Sequence, residues 1–440
     1  MSTLFTGELS CQAYLDPSGS MREASIRHQQ NQWIEFTVTD SLAASSPSSY
    51  LAPVLPVEIH CHGIGGADFS DFDSLNLEQV NESARKEGIA CVLCIFLSHS
   101  KLHQFLSFMQ AYADLKRSGK LTHIAGIGLE GPLLSSVGGT PEQGTWVPTK
   151  EEWKLIASCS EYGLNYIVLS PDAIWHQTQD TDDFAKNCMH LEWIIATLLD
   201  VGIKPALGHF RKRDPQVSAA YTRYIIDLSK RYKYPLFSGT ILTDHLFNDM
   251  PLNFRHAWRS TRDRARRDEE IKQVQLEQWS LDNLPEKVGA VPAALMQAAY
   301  EGWITICLNF DGEHVDLDVC RRVIELIGVD SLIAMTDRID VDSLGGQQLE
   351  QREGSHLWYQ RHGAAVAAGS SSIDRQMHNL RSIGVSEVDI WKMVSLLPLR
   401  VLGKNFEYAT NTIPETCCVI ANRQERYYFE DHHLYSHIIP

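Results

Sequence analysis

The chain of 440 residues contains no apolar run of membrane length; its longest, residues 89–97, falls far short of the ~20 residues a spanning helix needs. Basic charge is also scarce. Lys and Arg number 39 against 55 Asp and Glu, a formal net charge of -16. That balance argues against nucleic acid as a partner, because phosphate backbones demand a basic surface. A local basic pocket for one anionic ligand stays compatible with it. The 10 cysteines are scattered without a regular framework, as expected of a reduced cytoplasmic protein rather than a disulfide-stapled one. Cys91 and Cys94 have CxxC spacing but sit in an apolar run with no second pair, and they read as buried structural thiols. No basic flank precedes an apolar core near the N-terminus, so no secretory signal is expected. What remains is a soluble globular chain, 44% apolar and 21% charged, long enough for one large domain and a smaller accessory one.

Residues 1–50 are polar and turn-rich, with alternating patches such as Trp33-Ile34-Glu35-Phe36-Thr37-Val38 that suggest strands of a small sheet. From Pro53 short apolar runs alternate with amphipathic segments, the pattern of buried parallel strands and covering helices. Strands are expected at 57–60, 90–97, 124–129, 166–170, 204–207, 236–242, 305–308 and 332–336. Eight strands with intervening helices predict a (β/α)8 TIM barrel. Residues 255–287 break the rhythm with a run of Arg, Asp, Glu and Gln, expected to be an exposed charged helix or hairpin inserted after the sixth strand. Residues 415–428 are again strand-like and would complete the small N-terminal sheet. The expected organisation is therefore a β-sandwich accessory domain from 1–50 and 404–440, and a barrel over 51–403.

Ligand-type residues recur where the strand runs stop, at the end of a barrel where chemistry sits. His60 and His62 end the first run at i, i+2 spacing, which places both imidazoles on one side of a strand. Glu130 ends the third, His209 the fifth and Asp337 the eighth, and His245 follows the sixth. Any one of these reads as an ordinary loop residue; six at one end of a barrel point to a metal site.

The motifs around these residues resemble the amidohydrolase superfamily, and within it the N-acetylglucosamine-6-phosphate deacetylases. The resemblance runs from about residue 50 to 403 and rests on Leu129-Glu130-Gly131-Pro132, Gly208-His209, His245-Leu246-Phe247-Asn248-Asp249-Met250, Asp311-Gly312-Glu313-His314-Val315 and Thr336-Asp337. It implies that Glu130, His209 and His245 hold a catalytic divalent metal, zinc first among candidates. His60 and His62 would permit a second ion, with Glu130 shared. It further implies that metal-bound hydroxide attacks an acetamide carbonyl while Asp337 takes the water proton and hands it to the departing amine. Phe247, Asn248 and His314 would contact an N-acetylated amino sugar, and the family's habit of dimerising points to a homodimer.

Three departures fall on substrate recognition. Gly139-Thr140-Pro141 stands where the family carries a histidine, and Asp249 replaces an alanine near the expected phosphate site. The family's arginine-containing phosphate segment gives way to the charged insertion, where Arg255 is the candidate stand-in and Arg259, Arg262, Arg264, Arg266 and Arg267 are further possibilities. Hydrolysis of the N-acetyl amide of N-acetylglucosamine-6-phosphate, or of a related N-acetylated sugar or sugar conjugate, is the reading that results. Deamination or cyclic-amide hydrolysis on the same barrel is the alternative, and a barrel that has lost catalysis is disfavoured by the complete ligand set.

Overall fold

The computed structural model describes residues 4–16, 18–30, 32–176, 184–231, 241–361, 365–404, 414–422 and 425–438. Its centre is an eight-stranded parallel sheet: β1 (Val57–Cys61), β2 (Ala90–Ile95), β3 (Ile124–Glu130), β4 (Leu164–Leu169), β5 (Lys204–Leu207), β6 (Ile241–His245), β7 (Ile304–Asn309) and β8 (Leu332–Met335). Each strand pairs with the next in sequence. The barrel closes where the Asp337 amide donates to the His60 carbonyl at 3.0 Å and the His62 amide to the Arg338 carbonyl at 2.8 Å.

The strand runs are continuously apolar because both faces are buried. Along β2, Val92 and Cys94 face the barrel interior with Ile59, Tyr166, Val168 and Met335, while Cys91, Leu93 and Ile95 pack outward beneath the helices. The helices bury matching stripes. Leu77–Glu87 turns Leu77, Val80 and Ala84 inward, begins where Asn76 accepts from the Gln79 amide, and stops at Gly88, whose φ of 62° suits glycine.

The sixth strand differs from its expected range. It is seen at Ile241–His245, whereas residues 232–240, which the sequence reading partly assigned to it, lie outside the described set. The insertion is neither one helix nor a hairpin but a chain of short helices, Thr261–Arg264, Arg267–Val274 and Leu284–Lys287. Its apolar residues explain why it is not a free solvated arm: Leu276, Trp279 and Leu284 are buried, and Trp279 meets Phe254 edge-on at 5.0 Å. After β8 a small antiparallel sheet forms from Ser343–Leu344, Gln347–Gln351, Trp358–Gln360 and Val366–Ala368, which the sequence pattern did not reveal.

The N- and C-terminal segments share a seven-stranded sheet, in which Tyr50–Ala52 is the seam between Glu8–Leu15 and Cys417–Ala421. Trp33 and Phe429 lie five strand positions apart in this sheet, yet their rings meet at 5.2 Å. The sheet therefore folds over on itself and closes a core of its own around Cys11, Tyr14, Ile26, Val419 and Phe429. Arg426, fully buried, ties this unit to the barrel by a two-pronged ion pair to Asp374 (2.9 and 2.7 Å) and bonds to the Gly88 and Glu87 carbonyls. No described helix is long and apolar enough to cross a membrane.

Candidate metal centre

Two irregularities aim the site residues. The pairing of β1 with β2 shifts register between Glu58 and Cys61, and that of β6 with β7 shifts between Leu242 and His245. A bulge interrupts strict alternation and re-aims side chains. Thus Ile59 and His60, neighbours in sequence, both turn to the barrel axis, and Asp244 reaches the site together with His245. Strain gathers here as well: His209, Phe247, Asp249 and Asp337 are non-glycine residues with positive φ.

Glu130 is the hub. Its Oε2 lies 3.0 Å from His60 Nε2 and 3.1 Å from His62 Nε2, whereas its Oε1 lies 2.6 Å from His209 Nε2 and 4.0 Å from His245 Nε2. One carboxylate thus faces two histidine pairs with different oxygens. Asp337 completes the first side, its Oδ1 3.2 Å from His62 Nε2. Asp244 completes the second, its Oδ2 3.1 Å from His245 Nε2 and 3.2 Å from His209 Nε2. All of these residues are buried.

The donor set fits one or two divalent cations. Glu130, Asp244 and Asp337 are three buried carboxylates, and among the described residues no lysine or arginine pairs with any of them. Burying such charge without compensation is costly. His62 Nε2, His245 Nδ1 and both Asp244 oxygens are buried without a hydrogen-bond partner, as atoms awaiting an ion would be. The outer nitrogens are held in the way that frees the inner ones: His62 Nδ1 is 3.2 Å from the Cys94 carbonyl and His209 Nδ1 is 3.1 Å from the Ser136 carbonyl, each acting as donor. Two donor groups result, His60–His62–Cys94–Glu130 and Glu130–His209–Asp244–His245, each with all ligand atoms within 4.8 Å of one another. Metal-free, the cluster behaves as coupled ion pairs. Burial opposes charge on His62, but Asp337 and Glu130 outweigh it and raise its pKa to about 10. Burial would likewise raise Glu130, yet the adjacent His209, His60 and His62 hold it well below the usual carboxylate range.

Above the hub opens a cavity of about 710 Å³, into which Asp337, His314, Phe247, Asn248, Arg259 and Lys212 project. His314 is oriented by Asp311, which accepts from Nδ1 at 2.7 Å, leaving Nε2 unpartnered and 3.5 Å from Asp337 Oδ2. Asn248 accepts from Arg259 at Oδ1, which turns its unpartnered Nδ2 free as a donor. Arg255 does not line this cavity. It pairs with Asp263 and Glu270, both at 2.7 Å, and lies over Trp258. Arg259 reaches the rim in its place, but it is engaged by the Glu313 and His314 carbonyls at 3.0 Å each and by His256. His256 is kept neutral by burial and by Arg259.

The structure therefore brings His60, His62, Glu130, His209, His245 and Asp337 together, with Phe247, Asn248 and His314 on the same cavity. Sequence reasoning missed Asp244, Cys94 and Lys212, and it ranked Arg255 ahead of Arg259, which is the one on the cavity. Asp244 stands beside a recognised histidine, and only the bulge that turns it inward gives it significance.

A TIM barrel with a histidine and carboxylate cluster at the C-terminal ends of its strands is the class of protein defined here. Comparison with solved structures gives the fold a more particular likeness. The N-acetyl-D-glucosamine-6-phosphate deacetylase of Mycobacterium smegmatis, a mutant solved with N-acetyl-D-glucosamine-6-phosphate, superposes with a TM-score of 0.65 at 16% identity, over 97% of this chain and 98% of that one. The N-acetylglucosamine-6-phosphate deacetylase of Thermotoga maritima gives 0.65 at 14% identity, over 97% and 99%. A molinate hydrolase gives 0.51 at 10% identity, over 98% and 94%. No protein-family model and no curated protein sequence matches the chain.

Proposed function

We propose that this protein is a metal-dependent hydrolase that removes the N-acetyl group from an amino sugar or a conjugate containing one. The observation that carries the reading is the position of Asp337: one oxygen faces His62 at the metal centre and the other faces His314 in the substrate cavity. A carboxylate so placed can exchange a proton between a water at the centre and a leaving group above it. A divalent ion held there, with zinc the first candidate, would polarise the amide carbonyl and lower the pKa of water. Asp337 accepts the water proton and returns it to the departing nitrogen, since an amine leaves poorly until protonated. Burial opposes charge on His314, but Asp311 and Asp337 outweigh it; as imidazolium it donates from Nε2 to the carbonyl or a sugar hydroxyl, and Asn248 Nδ2 supplies a second donor. Phe247 gives an apolar wall.

Recognition of a phosphate is weakly provided for. Lys212 is paired with Asp249 at 2.8 Å, and Arg259 is committed to backbone carbonyls. The cavity of about 710 Å³ sits in the upper part of the ~300–1,000 Å³ range of small-molecule sites. Both features favour an N-acetyl sugar within a larger glycoside over a small sugar phosphate, and the volume alone also admits a nucleotide conjugate. The test is acetate release from a panel of free, phosphorylated, glycosidic and nucleotide-linked N-acetyl sugars. Turnover confined to N-acetylglucosamine-6-phosphate overturns the substrate reading. Ammonia in place of acetate moves the enzyme to deamination. A homodimer belongs to the same proposal and is tested by mass in solution.

A further inference from the structure

Two residues that this chemistry leaves unused stand inside the candidate metal centre. Cys94 lies on the inner face of β2, fully buried, with its sulfur 4.0 Å from Glu130 Oε2. It belongs to the donor group of His60 and His62, whose ligand atoms span no more than 4.8 Å. One zinc ion bridges sulfur and nitrogen donors up to ~4.4 Å apart, the sum of the two bond lengths, so small side-chain shifts suffice. Asp244, 1% exposed, has no hydrogen-bond partner for either oxygen, and its Oδ2 is aimed between His209 and His245.

We propose that the two cation positions flanking Glu130 are chemically unequal, with the Cys94 sulfur a ligand of the first and the Asp244 carboxylate a ligand of the second. The inference rests on the metal-dependent reading above and deepens it. The donor group of the first position offers two imidazoles, one sulfur and one carboxylate oxygen, with Asp337 beside it as the proton acceptor; that of the second offers two imidazoles and two carboxylates. Thiolate selects soft ions such as zinc or cadmium, whereas added carboxylate suits harder ions such as manganese. Coordination takes Cys94 as thiolate, its proton leaving to solvent. A centre built this way prefers different metals at its two positions.

The experiment uses the full chain, stripped with chelator and titrated with Cd²⁺ and then Mn²⁺. One equivalent of Cd²⁺ is expected to produce an ultraviolet sulfur-to-cadmium absorption band that persists in Asp244→Asn and disappears in Cys94→Ser. The cadmium-113 resonance of the unmodified protein should report a single sulfur donor, which requires no variant to fold. Mn²⁺, followed by electron paramagnetic resonance of the free ion, should then occupy one further site. Its affinity should fall at least about tenfold in Asp244→Asn and stay unchanged in Cys94→Ser. Cadmium binding without a sulfur signature, a band that survives Cys94→Ser, or undiminished Mn²⁺ affinity in Asp244→Asn overturns the inference while leaving metal dependence intact. Failure of the unmodified protein to bind any divalent ion overturns both.

Discussion

Lys212 Nζ lies 2.8 Å from Asp249 Oδ1, and the other oxygen of that carboxylate lies 3.0 Å from His209 Nδ1. Asp249 thus cancels a cation at the cavity mouth while touching a residue of the metal centre. Burial opposes its ionisation, but His209 and Lys212 outweigh it and hold the carboxyl below its usual range. Asp249→Ala should free Lys212 for an anionic substrate. A charge-assisted hydrogen bond contributes about 1.5–3 kcal/mol, so the ratio of kcat/KM for phosphorylated over unphosphorylated N-acetyl sugars should rise roughly tenfold or more. The ratio cancels any general loss caused through His209. No change in it would mean that Lys212 does not face the substrate.

Asp337 has a φ of 50°, a left-handed conformation that asparagine tolerates. Asp337→Asn therefore keeps backbone and volume while removing the proton acceptor. The expected loss is about 10²–10⁴-fold in kcat, with bound metal unchanged by elemental analysis. A comparable fall in metal content would instead make Asp337 chiefly a ligand.

Arg426 and Asp374 join the accessory unit to the barrel with no exposure to solvent on the arginine. Arg426→Ala removes the ion-pair partner of a buried carboxylate and should cost about 3–5 kcal/mol in denaturant unfolding. Replacing both partners with apolar residues, Arg426→Met with Asp374→Leu, should recover much of that. A single-variant cost below about 1 kcal/mol would show that the two units are held together elsewhere.

Lys116 gives a pH dependence of known sign. Burial, reinforced by Lys404, lowers its pKa to about 8, while its Nζ donates to the Leu121 and Ile124 carbonyls. The unfolded chain, with a lysine pKa of about 10.4, binds more protons above pH 8. Stability from this group therefore rises between pH 8 and about 10.4, and its penalty is complete below 8. Buried thiols such as Cys91, raised by burial, work in the opposite sense. The useful quantity is thus the difference in Tm between wild type and Lys116→Met. Wild type should lose less, relative to the variant, at pH 9.5 than at pH 7.5.

The barrel was legible because strands buried on both faces write continuous apolar runs, and His60, His62, Glu130, His209, His245 and Asp337 stand where those runs stop. Asp244 was not legible, because a bulge rather than a residue pattern turns it inward. The substrate side was harder for a related reason. Arg255 and Arg259 are four residues apart in a charged stretch, and only the folded insertion shows that Arg259 is the one on the cavity. The sheet of 343–368 has strands of two to five residues, too short for alternation to emerge, yet Val366 and Ala367 form part of the cavity wall. Cys94 looks like ordinary core, and its burial agrees; its proximity to His62 follows from the pairing of β1 with β2, in which Cys61 lies opposite Leu93.

The residues around Glu130 are proposed to hold a divalent ion that supports hydrolysis of an amino-sugar acetamide. The most direct test is acetate release from the N-acetyl sugar panel, measured beside metal content on the same preparation before and after chelation. At least one divalent ion per chain is expected, with acetate release that disappears with the metal and recovers when the ion is restored. Acetate release undiminished in fully metal-free protein, or a metal-loaded protein that releases no acetate from any member of the panel, would contradict it.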